Sequence, residues 1–301
     1  HRSSVPSVIG SSAIEGIEVP RRRAETVLDG STTPTTDEEL ELAGYQRALD
    51  DTYQHPVSTL TLPRIFGWNR AVLQATKPDA AGRLKRFENS VVDSYPDGSV
   101  AARFETVAVV QTPTALRELV ERYEEAHANG LDHPLFLISA LILDFLVIHP
   151  FEDGNGRVAR LLTNALLERD GYGVGRYRSI EALVADRDGD YLAALQASTG
   201  GWHDDTHSIW PWTEFLLDVL AEAYRGLEVA SLRQSPEDRR REVETWLGSG
   251  APDSFSMADA RRALPGVGAE AIREVLNARR REGLMMLTGH GRGARWTRMR
   301  P

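Results

Sequence analysis

Twelve residues between two apolar segments carry the groups that phosphate chemistry requires. They run from His149 to Arg160 and read His-Pro-Phe-Glu-Asp-Gly-Asn-Gly-Arg-Val-Ala-Arg. A histidine can serve as a base, an aspartate can bind a hard metal ion, and arginines can neutralise developing negative charge. Each of these residue types is common in a loop between two helices, whereas their combination in one loop is not. The stretch therefore predicts a site for a phosphate-containing substrate.

Two helices are predicted to hold this stretch in place. Residues 136–148 are almost continuously apolar and predict a buried helix, and residues 158–168 repeat apolar side chains with helical spacing. The Gly-Asn-Gly segment then lies at the start of the second helix. Free backbone N–H groups and the helix dipole favour an anion there. The sequence thus predicts a helix–loop–helix with a phosphate at its second helix.

The same stretch resembles the signature of Fic-domain proteins, His-x-Phe-x-Asp/Glu-Gly-Asn-Gly-x-x-x-Arg, and every defining position is present. The resemblance extends from about Ser11 to Val229. It implies a helical fold and the transfer of AMP from ATP to a protein hydroxyl, with release of pyrophosphate. Composition and periodicity by themselves indicate only a loop between helices that suits a phosphate.

The resemblance implies a role for each position of the signature. His149 becomes the general base for the acceptor hydroxyl, and Asp153 holds Mg²⁺ between the α- and β-phosphates. Phe151 points into the core and anchors the loop. The implied ATP contacts are Gly154, Asn155, Gly156, Arg157 and Arg160 in the signature, with Tyr191 and Thr199 at the adenine. Many relatives have two adjacent tyrosines where this chain has Tyr191 followed by leucine, so Tyr191 is equally compatible with a core position.

A second short stretch, residues 11–16, reads Ser-Ser-Ala-Ile-Glu-Gly and resembles the inhibitory motif of the family, Ser/Thr-x-x-x-Glu-Gly/Asn. In relatives that glutamate pairs with the second arginine of the signature. The resemblance therefore implies that Glu15 pairs with Arg160 and that the chain inhibits itself. A local alternative is a capping box, in which Ser12 and Glu15 would begin a helix.

The rest of the chain predicts a mainly α fold with one small hairpin. Helices are predicted over residues 38–51, 60–74, 114–128, 180–185, 191–196 and 210–229. Strands over residues 89–94 and 101–110, with a Pro-Asp-Gly-Ser turn at 96–99, predict a β-hairpin. By its order and position the hairpin resembles the flap of Fic domains; the alternative is a merely structural hairpin, since none of its residues is chemically distinctive. A flap holds an extended target segment by adding it as a strand.

The C-terminal residues form a separate pattern. Helices are predicted over residues 237–247, 257–264 and 269–282, followed by two strands around a glycine-rich tip, which resembles a winged helix-turn-helix. The predicted domains are an N-terminal inhibitory segment (1–28), a Fic catalytic domain (29–234) and a winged-helix domain (235–301). The arginine runs at 239–241 and 279–281 are flanked by acidic residues, which favours a solvated helix face over a DNA footprint.

Composition excludes several classes of protein. The 301 residues contain no cysteine, which excludes disulfides and thiolate metal sites. The first residues lack the apolar core of a signal peptide, and the longest apolar run is too short to span a membrane. We therefore expect a cytoplasmic protein that does not bind membranes.

These observations predict a self-inhibited protein adenylyltransferase that uses ATP and Mg²⁺ and modifies a Ser, Thr or Tyr hydroxyl. Its predicted partners are a target protein and the chain itself. Alternatives are a Fic enzyme that transfers another phosphate-containing group, one that removes AMP, and a DNA-binding regulator with a Fic sensor domain. DNA binding is weakly supported, because affinity for DNA grows with the number of phosphates neutralised and the tail is only mildly basic.

Overall fold

The structure is a computed structural model, and it describes residues 4–94, 100–233, 236–289 and 294–299. Helices dominate the described residues, which confirms the predicted mainly α fold. The chain divides into two units, His1–Ala223 and Tyr224–Pro301. The division falls inside a helix and precedes the predicted domain boundary at residue 235.

The first unit is built from helices and one hairpin. In chain order its helices are α1 (Ser4–Ile14), α2 (Arg21–Leu28), α3 (Asp37–Gln54), α4 (Leu62–Leu73), α5 (Thr112–Asn129), α6 (Pro134–Ile148), α7 (Asn155–Arg169), α8 (Ile180–Ala185), α9 (Asp188–Thr199) and α10 (Trp210–Arg233), the last of which continues into the second unit. The helices predicted from periodicity are confirmed within a few residues at each end, and α2 was not predicted.

Helices α6 and α7 form the centre of this unit. Helix α6 is apolar on all sides and almost wholly buried, because α5 and α7 pack against it. Helix α7 also contacts α3 and α4, so its apolar residues Leu161, Leu162 and Leu166 are fully buried. Residues 149–154, called the signature loop below, join these two central helices. The position of this loop is therefore fixed from both sides.

The predicted hairpin is present, with β1 (Ser90–Ser94) antiparallel to β2 (Val100–Glu105). Strand β2 ends earlier than predicted, because Val107 donates its backbone N–H to the carbonyl of Val147 in α6 (3.2 Å) instead of continuing the hairpin. The predicted turn at residues 96–99 lies outside the described residues.

The N-terminal helix corrects one interpretation of the sequence. Helix α1 ends at Ile14, so Ser12 and Glu15 lie at its C-terminal end. The backbone N–H of Glu15 donates to the carbonyl of Ser12 (3.0 Å), as in the last turn of a helix. The alternative that these two residues form a capping box at a helix start is therefore wrong.

The second unit has its own core. Beyond the end of α10 it contains α11 (Pro236–Ser249), β3 (Ser254–Ser256), α12 (Met257–Ala263), α13 (Ala269–Arg281), β4 (Met285–Thr288) and β5 (Arg295–Arg298). The strands form an antiparallel sheet in the order β3-β5-β4, of which β3 was not predicted. Phe255, Ile272, Leu276 and Trp296 are buried together. The glycine-rich tip at residues 290–293 lies outside the described residues.

Across the described ranges, none of the helices is both long enough and apolar enough to cross a membrane.

Candidate active site

His149 follows directly after α6 and adopts a left-handed backbone conformation (φ 49°). Its Nδ1 lies 3.1 Å from the carbonyl oxygen of Leu146. A carbonyl can only accept a hydrogen bond, so Nδ1 carries the proton and Nε2 carries the free lone pair. Burial lowers the pKa of His149 from 6.5 to about 4, although the bond to Leu146 opposes this shift. The imidazole is therefore neutral at pH 7 and can act as a base.

The loop after His149 is anchored by Phe151 and Asn155. Phe151 is fully buried, as predicted, with its ring centroid 5.9 Å from that of Phe66. The amide of Asn155 accepts from the N–H of Phe151 (2.9 Å) and donates to its carbonyl (2.8 Å). Because these bonds engage both ends of the amide, the Asn155 side chain shapes the loop.

Asn69, on α4, is a further support that the sequence did not reveal. It is fully buried, donates to the carbonyl of Asp153 (2.9 Å) and accepts from the N–H of Gly82 (2.8 Å). Gly154 has a positive φ of 79°, and a Cβ there would lie 3.1 Å from the Asn69 amide nitrogen. Asn69 thus holds the turn that leads into α7.

Helix α7 begins at Asn155, and its first intrahelical bond runs from Val158 N–H to the carbonyl of Gly154 (2.9 Å). The N–H groups of Asn155, Gly156 and Arg157 precede this bond and point out of the helix end. The helix dipole adds partial positive charge at the same place. The start of α7 therefore attracts an anion.

Asp153 lies between two cations. Its carboxylate is hydrogen-bonded by Lys77, and Arg157 Nη2 donates to the other oxygen (3.0 Å). Burial raises the pKa of Asp153, but the bond from Lys77 and the charge of Arg157 outweigh it and lower the pKa. The carboxylate is therefore ionised, which is the form that can bind a hard cation.

Arg157 is itself buried, with 4% of its side chain exposed, and its Nη1 is bonded to Glu41 on α3. Both guanidinium ends are thus engaged inside the protein. Glu41 and Lys77 are site residues that sequence analysis missed, since neither stands in a local pattern and only the fold brings them to the loop.

Arg160 contacts the N-terminal helix. Its Nε donates to the hydroxyl of Ser11 (2.7 Å), and its Nη2 donates to the Ser11 carbonyl (3.0 Å) and to Glu15 Oε1 (2.7 Å). Arg160 Nη1 is buried and has no hydrogen-bond partner among the described residues. A Cβ at Gly156 would overlap Glu15 Oε1. The Glu15 carboxylate therefore lies at the start of α7, where an anion is favoured.

A small cavity of about 30 Å³ adjoins Arg160. Its wall includes Tyr191 on α9, whose ring centroid lies 5.8 Å from those of Trp212 and of Phe215. Thr199 is not among the residues that line it; its hydroxyl donates to the carbonyl of Gln196 (3.5 Å). The structure thus brings Tyr191 but not Thr199 to this cavity. A cavity of this size has room for a water or two and is too small for a purine.

Residues 59–167 match the Fic/DOC family. The chain is 28% identical over 177 residues to the protein adenylyltransferase Fic of Culex quinquefasciatus, covering 56% of this chain and 33% of that protein. It is 30% identical over 171 residues to the same-named protein of Drosophila virilis, covering 54% and 32%. The chain thus spans about a third of the length of the curated relatives it matches.

Solved structures with the same fold include a Fic domain containing signaling protein from Bacteroides thetaiotaomicron (TM-score 0.61, 24% identity), covering 74% of this chain and 84% of that one. A Fic family protein from Desulfovibrio desulfuricans gives a TM-score of 0.62 at 21% identity and covers 99% of this chain and 86% of that one. At these identities the similarity concerns the fold.

Proposed function

Since this chain contains a Fic domain, we propose that it is a protein adenylyltransferase that moves AMP from ATP to a Ser, Thr or Tyr hydroxyl of a protein. The observation that carries the proposal is a neutral histidine joined by one short loop to the start of α7, where an anion is favoured. His149 Nε2 takes the proton of the acceptor hydroxyl as its oxygen bonds to the α-phosphorus. The bond from that phosphorus to the bridging oxygen breaks, and pyrophosphate leaves.

The phosphate contacts in this proposal come from the backbone at the start of α7 and from Arg160 once Glu15 has left it. The N–H groups at Asn155, Gly156 and Arg157 bind phosphate oxygens, and the glycines let the phosphates approach the backbone closely. Arg160 supplies the cation for the γ-phosphate. The side chains of Asn155 and Arg157 act indirectly, since each is engaged inside the protein. Tyr191 is proposed at the adenine, whereas the buried hydroxyl of Thr199 offers no support for a contact there.

Asp153 suits a magnesium ion. An ionised carboxylate is a hard oxygen ligand, and Mg²⁺ in nucleotide sites is commonly held by one or two carboxylates together with waters and phosphates. When bound, the ion would neutralise phosphate charge. Lys77, whose side chain is 51% exposed, can turn away from Asp153.

We further propose that α1 inhibits the enzyme. Arg160 can pair with Glu15 or with a phosphate, and the two anions compete for the same guanidinium and the same helix start. While Glu15 is in place, the γ-phosphate lacks its cation and the α-phosphate is not aligned with His149.

For residues 235–301 the winged-helix interpretation is kept as a proposal, supported by the order of helices and strands. DNA binding is not part of it, because three of the six arginines in the runs at 239–241 and 279–281 pair with acidic residues of the same unit. Arg240 and Arg279 contact Glu244, and Arg241 contacts Asp238. The proposed partners are a target protein and the chain itself, which also offers hydroxyls.

The decisive experiment compares ATP labelled on the α- or the γ-phosphate, using the full chain and its Glu15→Gly variant. Label transferred to protein only from α-labelled ATP supports AMP transfer. Label only from γ-labelled ATP would show a kinase reaction and contradict the proposal. His149→Ala is the matched control, since it keeps the phosphate-binding groups and removes the base.

A further inference from the structure

Lys85 is a buried lysine next to the candidate active site. Only 3% of its surface is exposed. Its backbone N–H donates to the carbonyl of Pro150 (2.9 Å), and the preceding Leu84 forms a β-bridge with Phe151. The segment before the hairpin therefore runs alongside the signature loop, directly after His149.

The ammonium group of Lys85 joins three segments. It donates to Asn89 Oδ1 before β1 (2.9 Å), to Thr106 Oγ1 after β2 (2.9 Å) and to the carbonyl of Ile148 at the end of α6 (3.2 Å). An ammonium has three hydrogens, so every donor has a partner. Both ends of the hairpin are thus tied to the residue that precedes His149.

The acceptors are neutral, although a buried ammonium is usually paired with an acid. Among the described residues Lys85 forms no salt bridge; the nearby Glu88 carboxylate instead accepts from the N–H of Val109 (3.1 Å). Burial lowers the pKa of Lys85 to about 8, although the charge of Glu88 opposes this shift. A buried charge without a direct ion pair is costly, and such costs concentrate at functional sites.

The surrounding bonds make the junction stiff. The Thr106 hydroxyl donates to the Asn89 backbone carbonyl (2.6 Å), and the Asn89 amide donates to the carbonyl of Phe151 (3.2 Å). We call Lys85, Asn89 and Thr106 the hairpin clamp. Through it, the hairpin ends are bonded to residues on both sides of His149.

We propose that Lys85 is a positioning residue that fixes the β1–β2 hairpin relative to His149, so that an acceptor hydroxyl held by the hairpin meets Nε2. The inference rests on the proposed function and on the interpretation of the hairpin as a flap that holds the acceptor segment. Geometry of this kind matters strongly, because a misplacement of about 1 Å can reduce a rate by about 100-fold.

The test replaces Lys85 by methionine, which keeps the length and removes the donors and the charge. We expect Lys85→Met to lower transfer of label from α-labelled ATP to the chain by at least about 10-fold, the lower range of a positioning effect, both alone and in the more active Glu15→Gly background. Affinity for α,β-methylene-ATP should stay within about 2-fold of wild type, since no clamp residue lies at the start of α7. Hydrogen exchange of amides in residues 88–94 and 100–107 should become faster.

Two variants separate positioning from loss of fold. Thr106→Val keeps the charge and removes one acceptor, so it should give a smaller loss of the same kind, and Lys85→Arg should partly restore transfer. Arg86→Met is the matched control, because Arg86 is the exposed neighbour and pairs with Glu152 (2.9 Å) outside the clamp. It should behave as wild type.

Wild-type labelling by Lys85→Met would overturn the inference, as would parallel losses of labelling and of α,β-methylene-ATP affinity in both Lys85→Met and Thr106→Val. If neither the wild type nor Glu15→Gly transfers label, the proposed function fails. Hydrogen exchange of the hairpin amides then tests whether Lys85 holds the hairpin in place. Faster hairpin exchange in Lys85→Met would then support it, and unchanged exchange would refute it.

Discussion

Arg157 and Arg160 lie three positions apart on α7, yet their surroundings differ. Arg157 is held by Glu41 and Asp153, on elements that belong to the core of the unit. Arg160 is held by Ser11 in α1 and by Glu15, which directly follows this short helix. The contacts of Arg157 cannot separate without disrupting the fold, whereas those of Arg160 can separate if α1 moves. Only Arg160 is therefore suited to regulation.

Replacing Glu15 by glycine tests that role. We expect Glu15→Gly to raise labelling from α-labelled ATP well above wild type, because Arg160 becomes free to bind the γ-phosphate. Arg160→Ala breaks the same ion pair but also removes the phosphate cation, and should stay inactive. Glu18→Gly, an exposed glutamate in the same segment, is the control. Equal labelling by Glu15→Gly and wild type would contradict self-inhibition.

His149 gives a prediction for pH. Its pKa of about 4 means that the base is neutral throughout the range in which a normal histidine, with a pKa near 6.5, becomes protonated. We expect kcat/KM of Glu15→Gly to stay level from about pH 7.5 to 5.5, because His149 does not gain a proton in this range. The NMR titration of His149, assigned with His149→Ala, gives the pKa directly.

His149→Ala should lower AMP transfer by roughly 10²–10⁴-fold, the usual contribution of a general base, while α,β-methylene-ATP still binds.

The lowered pKa of His149 also predicts that acid destabilises the fold. Between pH 6.5 and 4 the unfolded chain binds a proton at His149 that the folded chain does not bind. A His149 titration midpoint near 6.5 would refute both statements about pH.

At the scale of elements, α1 is held chiefly by its close approach to α8. A Cβ on Gly10 would lie 2.7 Å from the backbone nitrogen of Ala182. Gly10→Ala should therefore push α1 away from α8, loosen the Glu15–Arg160 pair and raise labelling toward the level of Glu15→Gly. Labelling and the melting temperature are the measurements.

Gly67→Ala is the matched control for this change. Gly67 lies within α4, and a Cβ there would meet no atom within 4 Å. Alanine also favours a helix over glycine by roughly 1 kcal/mol, so this variant should be neutral or slightly stabilising. Unchanged labelling and stability in Gly10→Ala would show that α1 does not depend on this contact.

The elements differ in how far the sequence predicts them. Helices α6 and α8 were predicted closely because their apolar residues and flanking turns are local signals. The roles of Asn69, Glu41 and Lys85 were not predictable, because each acts on a segment far along the chain. The end of β2 was misplaced for the same reason, since a carbonyl of α6 captures Val107.

At the scale of the whole molecule, each unit has a separate core, so each should lose stability independently. Ile272 is fully buried in the second unit, and Ile65 is 1% exposed in the first. Ile272→Ala should lower the free energy of unfolding of its own unit by about 2–5 kcal/mol. It should therefore lower the temperature of one calorimetric transition, while AMP transfer is retained at 25 °C. Ile65→Ala is the matched variant and should lower the other transition. One shared transition that both variants shift equally would contradict independent cores.

The Glu15–Arg160 contact joins two parts of one chain, which bears on how the inhibited fraction depends on protein concentration. An inhibitor tethered to its site acts at a fixed effective concentration, set by the connecting chain and not by the number of molecules present. Diluting or overproducing the protein should therefore leave the inhibited fraction unchanged. In the proposed self-inhibition, a signal that acts on α1 itself is needed to release the activity, and a change in copy number alone does not release it.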